Sequence, residues 1–129
     1  MTEREGLIAR VYAAFNARDV HGALELMGDG VSWPKASEGG RVVGKEAIRD
    51  YWGRQWAEFD PHVGPVEVRD EGEGRTRVRV HQVVKNLGGE VLFDGEVWHV
   101  YTVVGGLIER MELGESDAGA EPTAAFSRR

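Results

Sequence analysis

The chain has 129 residues, no cysteine, and 22 acidic against 16 basic side chains, for a net charge of −6. That length suits one core and not two, and 41% apolar residues are enough to build it. The missing cysteine excludes disulfides, thiol nucleophiles and thiolate metal sites. The acidic balance disfavours nucleic acid and membrane surfaces, and no apolar run reaches the roughly 18 residues of a membrane span. The opening residues lack a basic start followed by an apolar stretch, so no secretory leader is expected and a cytoplasmic location is.

Leu7, Ile8, Val11, Tyr12 and Phe15 recur at helical spacing and predict a first amphipathic helix. Asp19 is placed to cap a short second helix whose buried side is Ala23, Leu24, Leu26 and Met27, ended by Gly28-Asp-Gly30. Val31-Ser-Trp33 reads as a short strand stopped at Pro34. Residues 34–44 read as a loop in which Val42 and Val43 make a brief strand. A third helix from about Lys45 carries Ile48, Tyr51, Trp52, Trp56 and Phe59 on one side and closes at Asp60-Pro61.

Beyond Pro61 the period changes from 3.6 to 2. Val66 and Val68 alternate with charged residues, and Glu71-Gly-Glu-Gly74 is a turn. Long strands run from Arg75 to Leu87 and from Val91 to Val104, joined by Gly88-Gly89, with a bulge expected at Asp94-Gly95. Gly105-Gly106 is a two-residue hairpin signal, since both positions need positive φ. The last strand runs from Leu107 to about Glu115. Arg75, Arg77 and Arg79 alternate with Thr76, Val78 and Val80, the pattern of a strand with one wet face.

The reading is therefore an α+β fold: three N-terminal helices packed on a curved antiparallel sheet. Residues 1–115 form the domain. Residues 116–129 form a tail, mobile or docked through Phe126. A bent sheet over helices leaves a cone whose open end is a small-molecule pocket.

Three segments carry a resemblance to a known superfamily: Val11-Tyr-Ala-Ala-Phe-Asn-Ala-Arg-Asp19, Val42-Val-Gly-Lys-Glu-Ala-Ile48, and His99-Val-Tyr-Thr-Val103 with Gly106-Leu-Ile108. Over roughly residues 5–115 the chain resembles the cone-shaped NTF2-like (cystatin-like) fold, and within it the SnoaL-like group. Its relatives include polyketide cyclases and ketosteroid isomerase. The resemblance implies a cofactor-free protein that binds a small apolar or polycyclic molecule and pairs as a homodimer through its outer sheet face. Residue by residue, ketosteroid isomerase's carboxylate base falls at Lys35, its first-helix tyrosine at Val11 with Tyr12 one position off, and its second oxyanion donor at His99. The cyclase pattern, a strand histidine with an acid at the end of the last strand, falls at His99 and Glu115. There the chain has Glu where the cyclases carry Asp.

Alternation places His99 with Val97, Tyr101 and Val103 on one apolar face, where an imidazole can act as acid or base. A core histidine satisfied by one hydrogen bond accounts for the same pattern. Glu115 follows Met111 and Leu113 at period 2 and either joins that face or ends the strand in solvent. His99 and Glu115 are the candidate catalytic pair. Tyr12, Phe15, Trp33, Tyr51, Trp52 and Trp56 are candidate aromatic walls, and Gln82, Val97, Tyr101, Met111 and Leu113 complete the candidate lining; plain core packing explains the aromatics equally. Lys35 and Asp29 are rim candidates. His81 shares the outer face with Arg77 and Arg79, and Val83, Trp98 and Val100 would lie on a contact surface there. The four histidines are too scattered for a metal site, and no phosphate loop or serine nucleophile elbow is present.

The expected function is a small-molecule-binding protein with acid–base isomerase, cyclase or dehydratase chemistry. The alternative is a non-catalytic ligand-binding or dimerising protein.

Overall fold

In a computed structural model, which describes residues 3–35 and 38–114, the first helical periodicity becomes α1, Glu3–Asn16, with Leu7, Ile8, Val11 and Tyr12 buried. Asp19 caps α2, Val20–Leu24, by accepting the Gly22 N–H at 3.0 Å. The chain then leaves the helix earlier than its apolar spacing suggests. Leu26 and Met27 turn into β1, Met27–Pro34. Next come β2, Arg41–Val43, and α3, Lys45–Glu58. The strands β3, Phe59–Gly72, β4, Arg75–Asn86, β5, Val91–Val104, and β6, Leu107–Gly114, complete the order.

Six strands form one sheet in the order β2-β1-β6-β5-β4-β3. The sheet is mixed, not wholly antiparallel, because β1 lies parallel to β6. The long return through β2, α3 and the meander lets the first strand take the open edge of the last. The helices are not all N-terminal either, since α3 follows two strands. Between Met27↔Ile108 and Ser32↔Arg110 the register slips, so Gly28-Asp-Gly30 bulges out of the ladder. The same residues read in sequence as a break before a shorter strand.

Phe59 starts β3 instead of ending α3, and Pro61 and Pro65 lie within the strand. Proline is tolerated there because β3 is the sheet's edge and has an unpaired side. The bulge expected at Asp94-Gly95 sits elsewhere. Both residues pair in register with Val83 and Gln82, and the slip falls at Leu92, between Val84↔Phe93 and Lys85↔Val91. A second slip falls at Glu109, between Thr102↔Arg110 and Val103↔Ile108. Gly105 and Gly106 adopt φ of 60° and 82°, as the hairpin requires.

The core lies between the inner sheet face and the helices, where Ile8, Ile48, Val31, Val78, Val80 and Ile108 are fully buried. Each such side chain contributes about 1.5–3 kcal/mol by leaving water. The outer face of the meander is charged, with Arg77 paired to Glu71, Arg79 to Glu67 and Glu96, and His81 to Asp94. Trp98 is not exposed on that face. The Arg69 and Arg77 guanidiniums cover its ring at 5.5 and 5.8 Å, and Val100 beside it is buried as well.

Candidate functional site

Tyr12 comes from α1, His99 and Tyr101 from β5, and their side chains meet under the helices. Helical periodicity turns Tyr12 inward with Ile8, while alternation on β5 turns residues 97, 99, 101 and 103 to the same face. The Tyr12 hydroxyl lies 2.7 Å from His99 Nδ1, and the Tyr101 hydroxyl donates to Tyr12 Oη at 2.9 Å. Tyr12 is thus the first-helix tyrosine that faces His99, although it stands one position beyond the family-matched Val11.

These groups wall a cavity between α1, α3 and the sheet. The cavity volume is about 70 Å³, room for several waters, and the cavity opens to solvent. Of the expected lining, Tyr12, Phe15, Trp33, Tyr51 and Trp52 reach it, as do Gln82, Tyr101, Met111 and Leu113. His99 faces it too. Trp56 does not. It packs behind Phe15 and Trp52, with the Arg18 guanidinium 5.1 Å over its ring. Val97 is buried in the solid core and stops short of the cavity. Glu115 lies outside the described residues. Lys35 and Asp29 do not line the cavity; they pair with Glu38 and Lys45.

Five further lining residues escaped the sequence reading: Val11, Pro34, Gln55, Pro61 and Val63. Gln55 was visible at helical spacing from Tyr51 and Trp52. Its amide donates to the Tyr51 hydroxyl at 3.1 Å. Pro61 and Val63 carry no signal in the sequence, because the alternation that marks their strand begins only at Val66.

The lining has little charge. Burial pushes the His99 imidazole down to about 4. Burial also raises the Tyr12 hydroxyl well above its ordinary value, with Tyr101 adding to the effect, and raises Tyr101 despite its bond to Tyr12. At neutral pH all three are therefore uncharged. Two polar groups on the cavity side have no hydrogen-bond partner among the described residues: His99 Nε2 and the Gln82 side-chain amide. Both are reachable from the cavity and can donate to or accept from a ligand; the fully buried side-chain nitrogen without a partner among the described residues is Trp56 Nε1, outside the lining. Among the described residues no group of three or more His, Asp or Glu side chains is placed to hold a metal ion.

A family model described as the SnoaL-like domain matches residues 8–111. The chain belongs to the SnoaL-like domain family. The cavity of this SnoaL-like domain falls within the matched segment, apart from Leu113. Comparison with curated proteins found no match. Solved structures share the fold. TerC, co-crystallised with polyporic acid, superposes with a TM-score of 0.77 at 24% identity, covering 91% of this chain and 94% of that one. An NTF2-like protein of unknown function from Burkholderia pseudomallei gives 0.78 at 20%, over 92% and 94%. RV0760c from Mycobacterium tuberculosis, in complex with estradiol-17beta-hemisuccinate, gives 0.75 at 18%, over 92% and 98% of the two chains. No helix among the described residues is long and apolar enough to cross a membrane.

Proposed function

We propose that this SnoaL-like domain binds a flat, largely apolar molecule with a carbonyl or hydroxyl group. We also propose that it carries out cofactor-free acid–base chemistry on it, of the isomerase, cyclase or dehydratase kind. The observation that carries the reading is the pair of partnerless polar groups, His99 Nε2 and the Gln82 amide, in a cavity otherwise walled by aromatic and aliphatic side chains. Such a site orients a greasy ligand by one or two polar atoms. His99 is the acid–base or oxyanion-donating group in this reading. Polyporic acid and estradiol hemisuccinate, held by TerC and RV0760c, are flat ring compounds of this kind.

Trp33 and Trp52 line the cavity and report its occupancy by fluorescence. Titration with 2-tetralone, estradiol and polyporic acid should give saturable quenching with at least one. Replacing the partnerless amide in Gln82→Leu should weaken that binding about tenfold, the value of one ordinary hydrogen bond. Failure of all three to bind would sink the reading.

A non-catalytic binding protein is the second reading. It is favoured by one observation: among the described residues no carboxylate lines the cavity, in keeping with Lys35 at the place that resembles ketosteroid isomerase's base. Binding without turnover would select it. We further propose that a second copy pairs through the outer sheet face, whose charges of both signs can complement themselves. Sedimentation of the purified chain tests this: a monomeric mass at every concentration would remove it.

A further inference from the structure

Tyr12 stands between two acceptors with a single hydroxyl proton. It can give that proton to His99 Nδ1 or to Tyr101 Oη, but not to both. The three side chains therefore have two hydrogen-bond polarities. In one, Tyr101 donates to Tyr12 and Tyr12 donates to Nδ1, so His99 carries its own proton on Nε2, facing the cavity. In the other, Nδ1–H donates to Tyr12 and Tyr12 donates to Tyr101. Nε2 is then a bare acceptor, and the Tyr101 proton is free to point at a ligand.

We propose that Tyr101, Tyr12 and His99 work as one charge-neutral relay that takes a proton from a bound ligand at one end and returns one at the other. This rests on the small-molecule reading of the cavity and names the chemistry performed there: keto–enol interconversion or a related proton shift. Both links are hydrogen bonds of ordinary length, 2.7 and 2.9 Å, so the chain of donors is continuous. Both ends open on the same cavity from adjacent inward positions of β5, with ring centroids 6.3 Å apart, so one ligand spans them. The titratable groups facing the relay are few. Among the described residues they are Tyr12 from α1, Tyr51 from α3, and His99 and Tyr101 from β5; the described parts of β1, β3, β4 and β6 contribute none to the lining. With no charged side chain among the described lining residues to stabilise a separated ion pair, stepwise ionisation is disfavoured. Burial acts in the same sense, against imidazolium and phenolate alike. Moving several protons together leaves every group neutral throughout.

The step balances. Starting from the polarity with Nε2–H, an enol O–H proton passes to Tyr101 Oη, and its electron pair becomes the second bond of the carbonyl. The enol C=C pair takes the Nε2 proton and forms a C–H bond. Within the relay the Tyr101 proton moves to Tyr12 and the Tyr12 proton to Nδ1. The ligand leaves as the ketone, with the relay in the opposite polarity. Water entering the emptied cavity resets it by accepting from Tyr101 and donating to Nε2. The reverse sequence enolises a ketone.

The test is exchange of the 2-tetralone α-protons in D₂O, followed by NMR, with binding followed in parallel by tryptophan fluorescence. Tyr12→Phe keeps both relay ends and removes only the link. It should slow exchange at least about 100-fold, the scale of acid–base catalysis, through kcat and with KM unchanged. A merely structural role would not give that split. Tyr101→Phe preserves the Tyr12–His99 bond and should lose the same activity, which covers the case in which Tyr12→Phe folds poorly. Exchange at the wild-type rate in either variant would overturn the relay. Binding without exchange in the wild type would overturn it while leaving the small-molecule reading intact. Failure of 2-tetralone, estradiol and polyporic acid alike to bind would remove both.

Discussion

The Asn16 side chain bonds both backbone groups of Val63, donating to its carbonyl at 2.7 Å and accepting its N–H at 3.0 Å. Val63 lies on β3, the sheet's edge, where these groups have no neighbouring strand. The last residue of α1 thus acts as a one-residue substitute strand. It fixes the helix that carries Tyr12 to the strand that supplies Pro61 and Val63 to the cavity wall. Asn16→Ala leaves two largely buried backbone groups unpaired and should cost about 2–3 kcal/mol. A urea titration measures it; a loss below about 0.5 kcal/mol would mean that water replaces the amide without penalty.

His99 makes stability depend on pH. Its folded value of about 4 lies below the 6.5 of an unfolded histidine. Between those values the unfolded chain binds more protons, so stability rises with pH. The contribution is complete above about pH 6.5 and is lost as pH falls towards 4. The difference of 2.5 in pKa corresponds to about 3 kcal/mol. Carboxylates titrate near the lower end of this window, so the comparison needs His99→Gln as reference. Urea midpoints of the wild type should fall more steeply than those of the variant between pH 7 and pH 4.5. Parallel curves would show that His99 ionises freely in the fold.

The sequence patterns that were read correctly are those decided within a few residues. The inward face of α1, the Asp19 cap, the β4 and β5 alternation and the Gly105-Gly106 hairpin are all local. The inward positions around the cavity are local in the same way, because a residue on the inner face of a strand stays there whatever the sheet pairs with. The misreadings arose where a distant partner decides. Phe59 fits the last turn of a helix or the first residue of a strand. Only its place on an edge that tolerates Pro61 settles the matter. The parallel pairing of β1 with β6 has no signature in either segment. Trp98 sits on an outward position and looks like a contact residue, yet two arginines from its own chain cover it. The Tyr12–His99 link joins residues 87 positions apart and became visible only with coordinates.

Gly74 and Gly106 both have positive φ, 79° and 82°, but only Gly74 is hemmed in. Its carbonyl accepts the Val103 N–H at 2.8 Å, and an added Cβ would stand 2.8 Å from the Val103 oxygen. Backbone cannot move aside as a side-chain tip can. Gly74→Ala should therefore lose about 2–4 kcal/mol, from left-handed strain together with the clash. Gly106→Asn has open space around it and a side chain that tolerates this φ; its cost should stay below about 1 kcal/mol. Thermal unfolding of the two variants side by side checks the ranking, and equal losses would show that φ alone sets the penalty.

Trp98 separates packing within one chain from pairing between two. Its ring is 6% exposed although it sits on the outer face, because Arg69 and Arg77 stack over it. Truncation to Ala should cost about 3–5 kcal/mol, as for other buried tryptophans. If the burial belongs to the monomer, that loss is the same at any protein concentration. If a second copy also leans on this face, wild-type stability rises with concentration and the Trp98→Ala loss rises with it. Denaturation at two concentrations a hundredfold apart distinguishes the outcomes. The outer-face pairing proposed above predicts the second, and the arginine cover within each copy predicts that Arg77→Ala increases iodide quenching of Trp98 fluorescence at the lower concentration. Unchanged quenching in that variant would mean that the guanidinium does not shield the ring in solution.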